Sequence, residues 1–140
     1  MPIPVHEASG LLPKGVHDTD WSEVKERFGK GYKRSQLIRD LEFVLRLLEG
    51  QSVNEVWIDG SFVTTKARPN DVDMAYFPPA IALTGLVSRT NQARLKTSHH
   101  IDLWPFPSVQ PGMQSIVSFF SSDRDGRDKG LVRLRGKFFP

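Results

Sequence analysis

The sequence contains no cysteine. This absence excludes disulfide bridges, thiolate zinc sites and a cysteine nucleophile, so any metal ion must be held by oxygen or imidazole ligands. The chain also lacks a His-Glu-x-x-His zinc motif and the Gly-x-Ser-x-Gly turn of serine hydrolases. If the protein binds a metal, the composition favours a hard cation such as Mg²⁺ or Mn²⁺.

Long apolar runs are missing as well. No stretch approaches the 18 or so apolar residues that a membrane-spanning helix needs. The N-terminal segment, Met-Pro-Ile-Pro-Val-His-Glu, has no basic region followed by an apolar region, as a secretory signal would have. We therefore expect a cytoplasmic protein without a membrane partner.

What is present is typical of one compact domain. The 140 residues are 39% hydrophobic and 25% charged, close to the averages of soluble globular proteins. The first part of the chain is rich in residues that interrupt regular structure, namely Pro2, Pro4, Gly10, Pro13 and Gly15. We expect residues 1–20 to form an extended arm and residues 21–140 to form a single domain.

The positive charge is unevenly distributed. The net charge of +3 arises within residues 111–140, because basic and acidic side chains balance in residues 1–50 and again in 51–110. Two interpretations remain open for this basic tail: a solvated surface, or a surface that meets phosphates or an acidic partner. The tail contains Arg124, Arg127, Lys129, Arg133, Arg135 and Lys137 against Asp123, Asp125 and Asp128.

Hydrophobic periodicity predicts alternating helices and strands, and hence an α/β fold. A short helix should begin near Trp21, capped by Thr19 or Asp20, and end at Gly29. Further helices are predicted over 32–49, over 81–95 and around 116–120, and strands over 53–59, 71–77, 99–106 and 131–134. In the second helix one apolar face should pack on the sheet, and the solvent side should carry Arg34, Arg39, Glu42, Arg46 and Glu49.

Three aspartates form the main candidate site. Asp71 and Asp73 are two residues apart on a predicted strand, so their side chains should point to one face, roughly 6.5–7 Å apart. Asp102 lies between Ile101 and Leu103 on another predicted strand, an unfavourable place for an unpartnered carboxylate. If the two strands are neighbours, the three carboxylates can hold divalent metal ions beside a phosphate chain.

A glycine-serine turn precedes these acids. Gly60 would let the backbone approach a triphosphate closely, while the Ser61 hydroxyl and nearby amides donate hydrogen bonds to its oxygens. A short helix is expected to begin at Phe62. Lys66 and Arg68 follow in the same loop, where they either neutralise β- or γ-phosphate charge or form an exposed cationic loop.

Two further residues lie near these positions. Asp59 immediately precedes the glycine, and we interpret it as a strand-end or turn-capping residue, although its alternation with Ile58 directs it toward the site. His100 should share a strand face with Asp102, which would make it a metal ligand, a base or a phosphate contact; the alternative is a structural or surface histidine.

The motifs Gly60-Ser61, Asp71-Val-Asp73 and Ile-Asp102-Leu resemble the signature of the nucleotidyltransferase superfamily, which has the DNA polymerase β-like fold. Nearly the whole chain resembles small bacterial proteins of the DUF6932 type. The segments that carry this resemblance are Leu-Pro-Lys-Gly-Val-His17, Ile-Asp-Gly-Ser-Phe-Val-Thr64, Pro-Asn-Asp-Val-Asp73 and Lys-Gly-Leu-Val-Arg133.

The resemblance implies a minimal nucleotidyltransferase fold, a mixed β-sheet flanked by helices. It also implies Mg²⁺ or Mn²⁺ at Asp71, Asp73 and Asp102, and nucleotide phosphates at Gly60 and Ser61. The expected activity is transfer of a nucleoside monophosphate from a nucleoside triphosphate to a protein or RNA acceptor, within a toxin–antitoxin type of system. The alternative is a catalytically weak binding module that acts with a partner protein.

Overall fold

The computed structural model describes residues 3–76, 89–105 and 130–139. These ranges contain five β-strands and three α-helices, so the predicted combination of sheet and helices is confirmed as an α+β fold. The strands are β1 (Gly15–Thr19), β2 (Glu55–Asp59), β3 (Val72–Tyr76), β4 (Ile101–Pro105) and β5 (Gly130–Arg135). The helices are α1 (Trp21–Phe28), α2 (Tyr32–Gly50) and α3 (Arg89–His99).

The strands form one mixed sheet in the order β1-β5-β2-β3-β4. Strand β2 is antiparallel to both of its neighbours, β5 and β3, whereas β4 is parallel to β3 and β1 is parallel to β5. The glycine-serine turn directly follows the central strand β2. Strands β3 and β4, which carry Asp73 and Asp102, are neighbours, as the metal-site hypothesis requires.

Local sequence signals account for α1 and α2. The Asp20 side chain accepts a hydrogen bond from the Glu23 backbone N–H and thereby caps α1, which ends before Gly29. Helix α2 begins after Gly31, whose φ of +97° is a conformation that favours glycine. Its apolar stripe is buried, as the periodicity predicts: Leu37, Leu41, Val44, Leu45 and Leu48 are each 0% exposed, and Ile38 is partly buried.

The sheet has two chemically different faces. One face contributes Val56, Ile58, Met74 and Leu103 to the main hydrophobic core, together with residues of α1 and α2. The opposite face holds a small separate cluster of Trp57, Ala75 and Leu131, with Val16 packed against it. Because side chains alternate along a strand, residues in step with Trp57 and Ala75 also belong to this second face.

The N-terminal region is more ordered than an arm alone. Residues 15–19 form β1, a strand that the sequence analysis did not separate from the arm, and it pairs along its length with β5 near the other end of the sequence. Ile3 and Leu12 are both buried in the main core. A pairing across so many residues leaves no local signal in the sequence, since it depends on where β5 lies.

Some predictions lie outside the described residues. These are the first part of the 81–95 helix, the helix around 116–120 and the tail residues up to Lys129. Helix α3 continues to His99, four residues beyond the predicted end, and β4 then begins at Ile101. No helix in the described ranges is both long enough and apolar enough to cross a membrane.

Candidate functional site

Three aspartates occupy one row across three adjacent strands. In the sheet register, Asp59 of β2 is opposite Asp73 of β3, and Asp73 is aligned with Asp102 of β4. Aligned residues on neighbouring strands point to the same face and are separated by about 5 Å per strand. The three carboxylates therefore share the second face of the sheet, with Asp73 in the middle of what we call the acid row.

The acid row differs from the trio expected from the sequence. Asp71 lies one residue before β3 and is partly exposed. Asp59, interpreted from the sequence as a strand-end or turn-capping residue directed toward the site, is the last residue of β2, belongs to the row and is only 3% exposed. Its alternation with the buried Ile58 indicated this direction from the sequence, and Trp57, two residues earlier, lies on the same face.

Gly60 brings the turn into direct contact with the acid row. Its φ of +80° and ψ of −168° lie in a region that is essentially restricted to glycine. A Cβ atom at this position would overlap the carboxylate of Asp73, at 3.0 Å from its Cγ and 3.2 Å from its Cβ. The backbone at Gly60 thus lies against the central carboxylate, whereas the close approach predicted from the sequence was to a triphosphate.

The segment after the turn is a short 3₁₀-helix over Ser61–Val63, in place of the helix expected from Phe62. The Ser61 carbonyl accepts hydrogen bonds from the Thr64 backbone N–H at 3.1 Å and from the Thr64 hydroxyl at 2.7 Å. The side chains of Lys66 and Arg68 are both exposed. We refer to residues 60–68 as the turn loop.

Arg34 lies beneath the turn loop, and the prediction that it faces solvent is wrong. The residue is 7% exposed, and its guanidinium donates to the backbone carbonyls of Phe28, Phe62, Thr64 and Lys66 at 2.6–3.2 Å. Burial of the charge lowers the pKa of Arg34 below its ordinary value. Hydrophobic periodicity did not reveal this role, because it classifies every arginine as polar.

The N-terminal arm covers another side of the turn loop. A ring nitrogen of His6 lies 3.0 Å from the Val63 carbonyl, and the Thr65 backbone N–H donates to the Gly10 carbonyl at 3.0 Å. Arg27 holds the arm in place through the carbonyls of Ile3 and Pro4. The turn loop is thus held by Arg34 of α2 on one side and by the N-terminal arm on another.

Asp102 has a cationic neighbour on α3. Its Oδ2 lies 3.7 Å from the Lys96 ammonium, and the two side chains are 23% and 57% exposed respectively. An ion pair that is so exposed to solvent contributes little to stability. Its consequence is electrostatic: a positive charge stands at the outer end of the acid row.

His100 does not join the acid row. Its φ of +56° places it in the left-handed region just before β4, which breaks the strand alternation that the sequence analysis assumed. Its Nδ1 lies 3.5 Å from Oδ2 of Asp40 on α2. The neighbouring His99 stacks on Phe43, with ring centroids 4.4 Å apart. Both histidines therefore contact α2, in line with the structural alternative.

Two arginines of the basic tail, Arg133 and Arg135, lie in the described residues and contact β1. Arg133 donates two hydrogen bonds to the Asp18 carboxylate, at 2.6 and 2.9 Å. This contact holds the pKa of Asp18 below its ordinary value and raises the pKa of Arg133. Arg135 adds weaker contacts with Asp18 and Glu55. These two arginines of β5 therefore link their strand to Asp18 of β1 through side-chain contacts.

A metal ion at the acid row would have to complete its coordination with ligands other than these side chains. Across 3–76, 89–105 and 130–139, no group of three histidine, aspartate or glutamate side chains is close enough to hold a metal ion. Magnesium usually takes one or two protein carboxylates and fills its octahedron with water and substrate phosphates. Adjacent carboxylates on neighbouring strands fit that partial coordination.

Comparison with known proteins gives one match. Residues 4–135 match a family described as "Family of unknown function (DUF6932)", which agrees with the resemblance drawn from the sequence segments. No curated protein and no solved structure matches the chain.

Proposed function

The chain belongs to the DUF6932 family, and we propose that it is a metal-dependent nucleotidyltransferase with a DNA polymerase β-like fold. It would transfer a nucleoside monophosphate from a nucleoside triphosphate to a hydroxyl group of a protein or RNA acceptor. The observation that carries this proposal is the contact between Gly60 and Asp73 at the centre of the acid row. It puts a close-approach turn beside a set of aligned carboxylates.

The acids would divide the metal chemistry among them. Asp73, together with Asp71 just before β3, would hold Mg²⁺ or Mn²⁺, and Asp102 would hold a second ion or act as general base toward the attacking hydroxyl. Register alignment of Asp73 with Asp102 supports their joint action. Bound cations would also offset the repulsion between like charges on adjacent strands.

The turn loop would bind the phosphates. The Gly60 backbone and the Ser61 hydroxyl lie at the start of the loop, and the exposed side chains of Lys66 and Arg68 neutralise phosphate charge. In the reaction the acceptor oxygen forms a bond to the α-phosphorus, the bond to the bridging oxygen breaks, and pyrophosphate leaves. The proton of the hydroxyl passes to Asp102 or to solvent.

Label transfer tests the proposal directly. The protein is incubated with each α-labelled nucleoside triphosphate, Mg²⁺ and extract of its native host, and labelled protein and RNA are separated. We expect transfer that requires metal and is lost on chelation and in the Asp71→Ala/Asp73→Ala variant. Glu26→Gln, an exposed acid on α1, is the matched control and should retain activity. Equal labelling by the double variant would contradict the proposal.

A second candidate is a binding module that keeps this fold and acts through a partner protein, as in a toxin–antitoxin pair. The observation that favours it is an exposed apolar pair on α2, Phe43 at 46% and Leu47 at 38% exposure, one helical turn apart. Purification from the native host discriminates between the candidates. A partner that is retained by the wild type and lost from Phe43→Ser/Leu47→Ser, without any label transfer, would favour the module.

A further inference from the structure

Among the residues whose side-chain exposure the structure describes, two charged residues are buried, Arg34 and Asp59. It sits in the first turn of α2, between the end of α1 and the turn loop. Burying a cation is costly unless hydrogen bonds or an opposite charge compensate it. A buried arginine at this position therefore needs a physical account.

Hydrogen bonding to Arg34 is complete. A guanidinium has five N–H donors, and here Nε donates to Lys66, Nη1 to Phe28 and Phe62, and Nη2 to Thr64 and Lys66. All of these acceptors are backbone carbonyl oxygens. Three of the four carbonyls belong to the turn loop, at alternate residues 62, 64 and 66, so the loop bends around one planar cation.

The charge of Arg34 remains largely uncompensated. Within the described residues its hydrogen bonds reach carbonyl dipoles only, and its guanidinium carbon lies 5.4 Å from the centre of the Phe62 ring. Carbonyl groups stabilise a cation without cancelling its unit charge. A fixed positive charge thus lies directly below a loop whose exposed side chains at Lys66 and Arg68 are also cationic.

We propose that Arg34 is a positioning residue for phosphate binding: its guanidinium fixes the shape of the turn loop and supplies positive potential beneath it. This inference rests on the proposed function, because it assigns the loop to nucleotide phosphates. Lysine cannot replace arginine here, since a single ammonium group cannot direct donors to carbonyls spread around a planar fork. The role is specific to arginine at position 34.

The test compares Arg34→Lys and Arg34→Met with Arg39→Met, an exposed arginine on the same helix. Amide hydrogen exchange of residues 61–68 is measured without nucleotide. Binding of a nonhydrolysable nucleoside triphosphate with Mg²⁺ is measured by calorimetry, and binding of Mn²⁺ alone by electron paramagnetic resonance, at a temperature where each variant is folded. Binding of Mn²⁺ alone measures the metal affinity of the aspartates in the absence of nucleotide phosphates.

We expect exchange of the loop amides to rise at least tenfold in both Arg34 variants. Nucleotide affinity should fall at least tenfold, while Mn²⁺ affinity changes less than twofold and Arg39→Met behaves like the wild type. A purely structural role would lower global stability without separating the nucleotide from the metal affinity. Unchanged nucleotide affinity in Arg34→Lys, with the loop loosened and wild-type binding intact, overturns the inference and leaves the proposed function standing.

Two other outcomes are also decisive. If the wild type binds no nucleotide in the presence of Mg²⁺, the proposed function fails and the phosphate role of Arg34 fails with it. If neither Arg34 variant folds, the wild-type protein still tests the idea. Its amides at Val63, Thr64 and Thr65 should already be protected before nucleotide is added, and exchange as fast as in an open loop would refute the positioning role.

Discussion

Replacing Gly60 by alanine tests the contact on which the site depends. The perturbation has two parts. The first is backbone strain, because φ +80° and ψ −168° cost a residue with a Cβ of order 1–3 kcal/mol. The second is overlap of the new methyl group with Asp73, which must move its short side chain; overpacking of this kind costs about 1–3 kcal/mol.

Gly31→Ala separates the two parts. Gly31 has a similar backbone, φ +97° and ψ 158°, but nothing lies within 4 Å of the position of its Cβ. Urea unfolding should therefore show that Gly31→Ala loses only the strain energy and that Gly60→Ala loses about 1–3 kcal/mol more. Gly50→Ala, at the end of α2 with open space around it, should be neutral or stabilising by up to about 1 kcal/mol.

A double-mutant cycle completes the test. In an Asp73→Ala background the carboxylate is gone and only the 3.2 Å contact with the Cβ of residue 73 remains, so Gly60→Ala should cost little more than Gly31→Ala does. The coupling free energy between positions 60 and 73 should be about 1–3 kcal/mol, well above the scatter expected for independent sites. If Gly60→Ala and Gly31→Ala are equally destabilising and no coupling is found, the turn does not lie against Asp73, and the geometric basis of the site is refuted.

Three further predictions concern the frame around the site. The bond from Arg133 lowers the pKa of Asp18, so its stabilisation is complete above the unfolded value of about 3.9 and is lost as the pH falls through the folded value; Asp18→Asn should cost about 0.5–1 kcal/mol near neutral pH and much less in acid-pH urea titrations. Burial raises the pKa of Tyr76 to about 12, so in a Tyr32→Phe protein, where it is the sole tyrosine, tyrosinate absorbance should appear near that pH. The contribution of neutral Tyr76 to stability is then complete below the unfolded pKa of about 10 and is lost as the pH rises toward 12. Leu45→Ala removes a fully buried side chain of α2 and should cost about 2–5 kcal/mol in the same unfolding assay; a loss below about 1 kcal/mol would contradict the packing.

The elements flanking the site were predictable where one signal dominates a short stretch. Asp20 caps α1, the apolar stripe sets α2, and alternation around Met74 identifies β3. These features arise from residues within a few positions of one another, so the sequence carries them locally. The joint action of Asp73 and Asp102 could be predicted only on the condition that their strands are neighbours, because no local feature of the sequence shows which strands pair.

Residues whose roles depend on distant contacts were misjudged. Arg34 has a solvent-side pattern, yet it is buried because a loop about 30 residues later supplies carbonyls for it. His100 fits a strand alternation, but its left-handed backbone turns it to Asp40. Asp59 was correctly directed toward the site by its alternation with Ile58, but only the register shows that it lies opposite Asp73. In each case the deciding partner is remote in sequence.

The sequence by itself determined the chemistry available to this protein: oxygen and imidazole ligands in place of thiolates, a glycine that permits a close backbone approach, and aspartates spaced for one face of a strand. Composition and short-range periodicity fix such properties because they depend on residue type and on the geometry of adjacent residues. Only the tertiary structure decided which acids share a row and which cation lies beneath the turn loop. Strand register and burial arise from long-range pairing, and that pairing brings Asp59, Asp73 and Asp102 to one face and Arg34 under residues 62–66.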